Sequence, residues 1–269
     1  MDNLARKLIV PPDSKIKLSG IDPDDTHGAT KGDADDLLKK HLKRLAMLQY
    51  LLYAENRRAV LVVLQGIDAG GKDGTIRHVM TGMNPQGVVV TPFKAPEGAE
   101  KRHDYLWRIH NAVPEYGKIG IFNRSHYEDV LVVRVHDLVP KSVWSKRYDQ
   151  INDFERMLTQ NEVTIVKFLL YISKEEQAKR FRARLDDKKK KWKFSPADVK
   201  ERQYWDQYID AFEEMLRRCS TTKAPWYVIP SNKKWFRNLA VSEILIHELE
   251  SMDLKYPKPE TDLSGIKFE

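Results

Sequence analysis

The apolar run Ala59–Gln65 feeds directly into Gly66-Ile67-Asp68-Ala69-Gly70-Gly71-Lys72-Asp73-Gly74-Thr75, and a helical pattern follows. A strand, a glycine-rich turn, a lysine and a helix in that order form the Walker A element, or phosphate loop, of α/β proteins. The residue types answer a physical need. Glycines let backbone amides point inward as an anion nest, the helix start adds positive potential, and Lys72 supplies a point charge. Gly66, Ala69, Gly70, Gly71, Lys72, Asp73, Gly74 and Thr75 are therefore the expected phosphate-binding positions. The strand-to-helix context argues against a chance glycine turn.

Further buried-strand patterns recur as VVVTPF from Val88, KIGIF from Lys118, TIVKFLLYI from Thr164 and PWYVI from Pro225, with helical stretches between them. This alternation predicts an α/β fold, a three-layer sandwich with a central five-stranded parallel sheet and ligands at the carboxyl ends of the strands. Residues 33–256 are assigned to the kinase domain. Residues 1–32, rich in Pro, Asp and Gly, read as an extended N-terminal arm, and 257–269 as a C-terminal tail. Asp33 with Asp36, Ser173 with Glu176, and Ser195 with Pro196 and Asp198 mark expected helix starts.

The loop departs from the usual pattern in two places. Asp73 stands where Ser or Thr offers a hydroxyl to magnesium, with Thr75 two residues on. Asp68 places a carboxylate among phosphate-binding amides, which reads as a metal ligand or, alternatively, as a turn residue bonding its own backbone. After the third strand comes Phe122-Asn123-Arg124-Ser125-His126-Tyr127-Glu128-Asp129, where a Walker B carboxylate is expected and Asn123 stands instead. Arg124 is suited to clamp a phosphoryl group; its bland alternative is an ion pair with Glu128 or Asp129. His126 is given no catalytic role, and the lone Cys219 none either.

The stretch from Arg180 to Phe194 is basic with interleaved aromatics and lies where P-loop kinases carry a lid, here about 180–208. Arg180 and Arg184, at i and i+4, share a helix face and are expected to reach a phosphate chain together. The formal net charge of +7 favours a polyanionic partner, but the 46 basic residues are mixed with 39 acidic ones. No nucleic-acid recognition motif or segregated basic stripe appears, so a nucleic-acid-binding module is disfavoured. Asn232-Lys233-Lys234-Trp235 lacks the final Asp of a guanine-reading motif. No membrane span and no secretory leader is expected, which places the protein in the cytoplasm.

GIDAGGKDGT, FNRSHYEDVLVVRV, WKFSPADVKERQYWDQY and PWYVIPSNKKWFRN together resemble the polyphosphate kinase type 2 family over roughly residues 35–255. The resemblance implies a P-loop kinase-like fold that transfers a terminal phosphoryl group between inorganic polyphosphate and a nucleotide, with magnesium (or manganese in its place), in a homodimer or homotetramer. It carries the family's functional residues onto Asp68, Lys72, Arg124, Arg134, Arg180 and Arg184. Asn123 and Glu128 resemble the family's third class, which accepts nucleoside mono- and diphosphates. AMP, ADP and ATP are then the expected nucleotides, GMP and GDP further ones, with Asp68, Lys72, Arg124 and Glu128 catalytic. Asp68 is the expected metal ligand and Glu128 a second one. An ATP-dependent nucleoside monophosphate kinase is the alternative enzyme.

Overall fold

Runs of valine, leucine and isoleucine build the centre of the molecule, because branched side chains pack well on a pleated surface buried on both faces. The computed structural model describes residues 4–259 together with 261 and 262. Its strands are β1 (Ile9–Val10), β2 (Ala59–Gln65), β3 (Val88–Pro92), β4 (Ile119–Asn123), β5 (Val163–Tyr171) and β6 (Trp226–Pro230), in the spatial order β1-β6-β5-β2-β4-β3. The helices are α1 (Leu4–Leu8), α2 (Lys31–Glu55), α3 (Lys72–Val79), α4 (Trp107–His110), α5 (Val132–Val135), α6 (Lys141–Gln160), α7 (Lys174–Asp186), α8 (Pro196–Glu201), α9 (Trp205–Cys219) and α10 (Lys234–Ser251).

Side-chain alternation along the strands divides the core in two. Leu61, Val63, Ile165 and Leu169 pack with Ile151 and Phe154 of α6 and Phe212 and Leu216 of α9. Val60, Val62, Leu64, Val166 and Phe168 pack on the other face with Leu45, Leu48 and Leu52 of α2 and Phe236, Val241 and Ile244 of α10. The three layers and the five parallel strands agree with the sequence expectation.

The sheet has a sixth strand that the sequence reading did not foresee. Residues 9 and 10 of the expected arm pair antiparallel with β6, so the sheet is mixed. Leu4, Leu8, Val10 and Leu18 are buried, and the Leu4 amide donates to Glu243 Oε1 at 2.9 Å. A strand of two residues is too short for its periodicity to register, and Pro11, which has no amide to donate, ends it. Residues 1–3, 260 and 263–269 lie outside the described residues, and with them most of the expected tail.

One helix start is also corrected. Thr30, not Asp33, caps α2: its hydroxyl accepts from the Asp33 amide, while the Asp33 carboxylate receives the Thr30 hydroxyl at 2.6 Å. Ser173 and Ser195 cap α7 and α8 as expected. β2 lies between β4 and β5, so the loops leaving β2 and β4 emerge side by side at the carboxyl edge of the sheet. In such sheets ligands settle where strand order reverses, beyond the carboxyl ends.

Candidate active site

The loop after β2 is shaped by backbone that few residues tolerate. Gly66 leaves the strand at φ 150°, and a Cβ there would stand 2.7 Å from the Leu170 carbonyl oxygen. Ala69 is left-handed at φ 64°, and Gly71, at φ 111°, opens α3. Non-glycine residues in this region carry strain of about 1–3 kcal/mol, which persists where surrounding structure over-determines it. Lys72 folds back beneath the turn: Nζ donates to the Gly66 carbonyl at 2.6 Å and the Ile67 carbonyl at 3.4 Å. Burial, then the nearby Arg124 charge, lowers its pKa to about 8, against the opposing pull of Asp68, Glu128 and Asp73.

Arg124 is the second strained residue, left-handed at φ 64° immediately after β4. Its amide extends the parallel ladder to the Leu64 carbonyl at 3.1 Å, which aims the side chain across the loop. The guanidinium donates to Asp68 and, at 3.3 Å, to Glu128. Burial works against its charge, but Glu128 and Asp68 outweigh that cost and hold its pKa above the ordinary value. The structure thus brings Asp68, Arg124 and Glu128 together, and Arg124 makes the ion pair with Glu128, though not with Asp129, that stood as the bland alternative to a phosphoryl clamp.

The two sequence anomalies meet each other. Asn123 Nδ2 donates to Asp73 Oδ1 at 2.9 Å, so the amide in the Walker B position holds the carboxylate in the magnesium-hydroxyl position. The Thr75 hydroxyl turns away and donates to the Gly71 carbonyl at 3.2 Å.

The lid arginines divide. Arg180 is buried and fully engaged: it donates to the carbonyls of Ala69, Gly70, Ser231 and Asn232 at 2.5–3.1 Å and to Glu176 at 2.7 Å. In this arrangement it ties the phosphate loop to the end of β6 and does not share a face open to a ligand with Arg184. Arg184 stays half-buried over the Phe181 ring, and its charge is felt by Asp198 together with those of Asp68 and Arg124. Arg134 donates to the Tyr148 hydroxyl at 3.1 Å and lies over the Trp144 ring.

A buried ionic network, missed from the sequence, holds His126 and Tyr127, which lie between Arg124 and Glu128 in the chain. Lys167 on β5 donates to Glu155 at 2.5 Å, to the Tyr127 hydroxyl at 2.9 Å and to the Cys219 carbonyl at 2.7 Å. Glu155 also meets His126 Nε2 at 3.1 Å and receives the Tyr127 hydroxyl at 2.8 Å. Although burial disfavours its charge, Lys167 and His126 hold the Glu155 carboxyl below its ordinary pKa. His126 is fully buried in this network.

A cavity of about 670 Å³, to which the loop itself contributes no lining residue, is lined by Lys101, Tyr105, Arg108, Lys146 and Arg147 together with Glu100, Asp104 and Asp129. Asp129, adjacent in sequence to Glu128, accepts from Arg147 at 2.7 Å. Burial raises its pKa to about 6 despite Arg147 and Arg108. The cavity residues come from three separate stretches without fixed spacing, so no motif could have singled them out; the only signal is the mixture of cations and aromatics between Lys101 and Arg108.

The polyphosphate kinase 2 family model matches residues 29–257. The AMP/ADP-polyphosphate phosphotransferase of Meiothermus ruber is 52% identical over 266 residues, 98% of this chain and 100% of that protein. The ADP-polyphosphate phosphotransferase of Rhodopseudomonas palustris is 49% identical over 83% of this chain and 81% of its own length. The crystal structure of polyphosphate kinase 2 from Arthrobacter aurescens TC1 superposes with a TM-score of 0.94 at 45% identity, covering 98% of this chain and 94% of that one. With the loop, its lysine and the Arg124 segment arranged as above, the chain belongs to the polyphosphate kinase 2 family.

Proposed function

We propose that the protein transfers the terminal phosphoryl group of inorganic polyphosphate to AMP and ADP, giving ADP and ATP. The observation that carries this is the position of Arg124, which bridges Asp68 of the phosphate loop to Glu128, whose neighbour in sequence, Asp129, lines the cavity with Lys101, Arg108, Lys146 and Arg147. The cavity volume lies in the range of small-molecule sites, and its Lys101 and Lys146, with Arg108 and Arg147 paired to Glu100 and Asp129, offer charge to a nucleotide phosphate. The polyphosphate end rests on the loop amides and Lys72, the acceptor enters from the Asp129 side, and Arg124 spans the phosphates. Because phosphoryl transfer has a loose transition state, the residues act mainly by positioning and charge stabilisation.

Magnesium fits the residues present. The described residues hold no cluster of three or more His, Cys, Asp or Glu, and magnesium commonly takes one or two carboxylates and fills its shell with water and phosphate. Asp68 and Glu128, which converge on Arg124, are the residues that would hold it. Once bound it would neutralise charge between donor and acceptor.

Glu128 is assigned the acceptor preference. Glu128→Asn is expected to lower AMP phosphorylation about 10²-fold, the scale of a positioned carboxylate, while ADP phosphorylation persists. Initial rates with each acceptor check this, and undiminished AMP turnover would remove the assignment.

The low pKa of Lys72 makes a pH prediction. Lys72 must be charged to attract phosphate, so kcat/KM for polyphosphate is expected to fall above about pH 8 rather than near the ordinary value of 10.5. Between those two values the unfolded chain holds the proton that the folded protein has released, so the stability of the free enzyme rises with pH while activity falls. Rate and thermal-melt profiles from pH 7 to 10 test both signs. The donor itself is tested by supplying AMP with long-chain polyphosphate and magnesium. ADP and ATP are expected, whereas turnover only with ATP as donor would identify an ordinary nucleoside monophosphate kinase.

A further inference from the structure

Behind the phosphate loop, Gly71 and Gly74 leave room for a guanidinium. A Cβ on Gly71 would stand 2.0 Å from Arg237 Nη1 and 3.6 Å from Arg180 Nη1, and one on Gly74 would stand 3.1 Å from Arg237 Nη2. Arg237, on the first turn of α10, is 2% exposed. Its Nε and Nη2 donate to Asn238 Oδ1 at 3.1 and 2.7 Å, and among the described residues it has no carboxylate partner. The neighbouring charge is a second cation, Arg180, already engaged with loop carbonyls. Burial and that repulsion lower the Arg237 pKa to about 10.

A buried charge without a counter-ion destabilises a fold, and an apolar side chain of similar length fills the same space without that penalty. The charge sits against the first turn of the helix whose amides receive phosphate, where an added cation deepens the positive potential. We infer that Arg237 is a positioning residue for the phosphate chain: seated against Gly71 and Gly74, its guanidinium strengthens the field of the loop amides without touching the ligand. This rests on polyphosphate being the substrate of the loop. A chain with a negative charge on every phosphate gains most from such a field, whereas the acceptor in the Arg108–Arg147 cavity gains little.

The test compares the full-length wild type with Arg237→Met and Arg237→Lys. It measures KM for polyphosphate and for AMP, equilibrium binding of polyphosphate without an acceptor, and Tm. In R237M, KM and Kd for polyphosphate are expected to rise on the order of tenfold, KM for AMP to stay within about twofold, and Tm to be no lower than wild type. R237K is expected to restore polyphosphate binding to within about threefold of wild type, because it keeps the charge. Unchanged polyphosphate binding in R237M overturns the inference. So does a fall in Tm with both KM values rising together, or failure of R237K to restore binding, since either would mark Arg237 as a packing residue. Because binding is read apart from turnover, a wild type that binds polyphosphate but does not use it refutes the donor assignment and leaves the role of Arg237 to be judged on Kd.

Discussion

Lys72→Met is expected to lower kcat/KM for polyphosphate-dependent AMP phosphorylation by about 10²–10³-fold, or about 2.7–4 kcal/mol of transition-state stabilisation. Lys72 is the cation built into the loop, and its charge is held where water is excluded, so its interaction with phosphate oxygens is weakly screened. The loss should fall on catalysis and not on folding. Nζ meets only loop carbonyls in this structure, and burial already disfavours its charge. Initial rates with saturating AMP and varied polyphosphate, together with a thermal melt, check both halves. Lys72→Arg should not restore activity, because a planar guanidinium does not fit a seat that places Nζ 2.6 Å from the Gly66 carbonyl. Wild-type turnover in the methionine variant would refute the assignment.

The second large effect is on stability and lies away from the loop. Lys167→Met should destabilise the fold by about 3–5 kcal/mol, because it strands a buried Glu155 carboxylate whose remaining neighbours are His126 and Tyr127. For a chain of this size that corresponds to a drop in Tm on the order of 10 °C. The double variant Lys167→Met with Glu155→Gln should recover much of the loss, because the two residues form one unit and their separate costs do not add. Urea unfolding of the two single variants and the double variant measures the coupling directly. Equal and additive losses would show that the pair is not the unit described here. The network also fixes His126 and Tyr127, which lie between Arg124 and Glu128, so K167M should reduce activity at temperatures where it remains folded.

The loop, the five parallel strands of the sheet and the Arg124 segment were legible in the sequence for one reason. Gripping phosphate at a strand end requires glycines, a lysine and buried apolar runs in a fixed order along the chain. What could not be read depends on residues meeting from far apart. Asn123 and Asp73 each look like a defect in a standard motif, yet they lie 50 positions apart and become a hydrogen-bonded pair only because β2 and β4 are neighbours. Arg180 sits in a basic stretch and so reads as a ligand-binding lid residue. Its engagement with Ser231 and Asn232 is decided by where β6 ends. Lys167 is one polar residue inside an apolar strand, and Arg237 is one cation in an amphipathic helix, and in neither case does spacing point to the partner. β1 escaped notice because two residues carry no period, although its edge of the sheet is where Leu4, Leu8 and Val10 are buried.

A crystal structure of the protein with a short polyphosphate and magnesium tests the central claim most directly. Phosphate oxygens are expected within hydrogen-bond distance of the amides of residues 70–74, with Lys72 Nζ moved from the Gly66 carbonyl onto the chain and Arg124 turned toward its end. A polyphosphate bound elsewhere, with Lys72 still donating to Gly66, would contradict it.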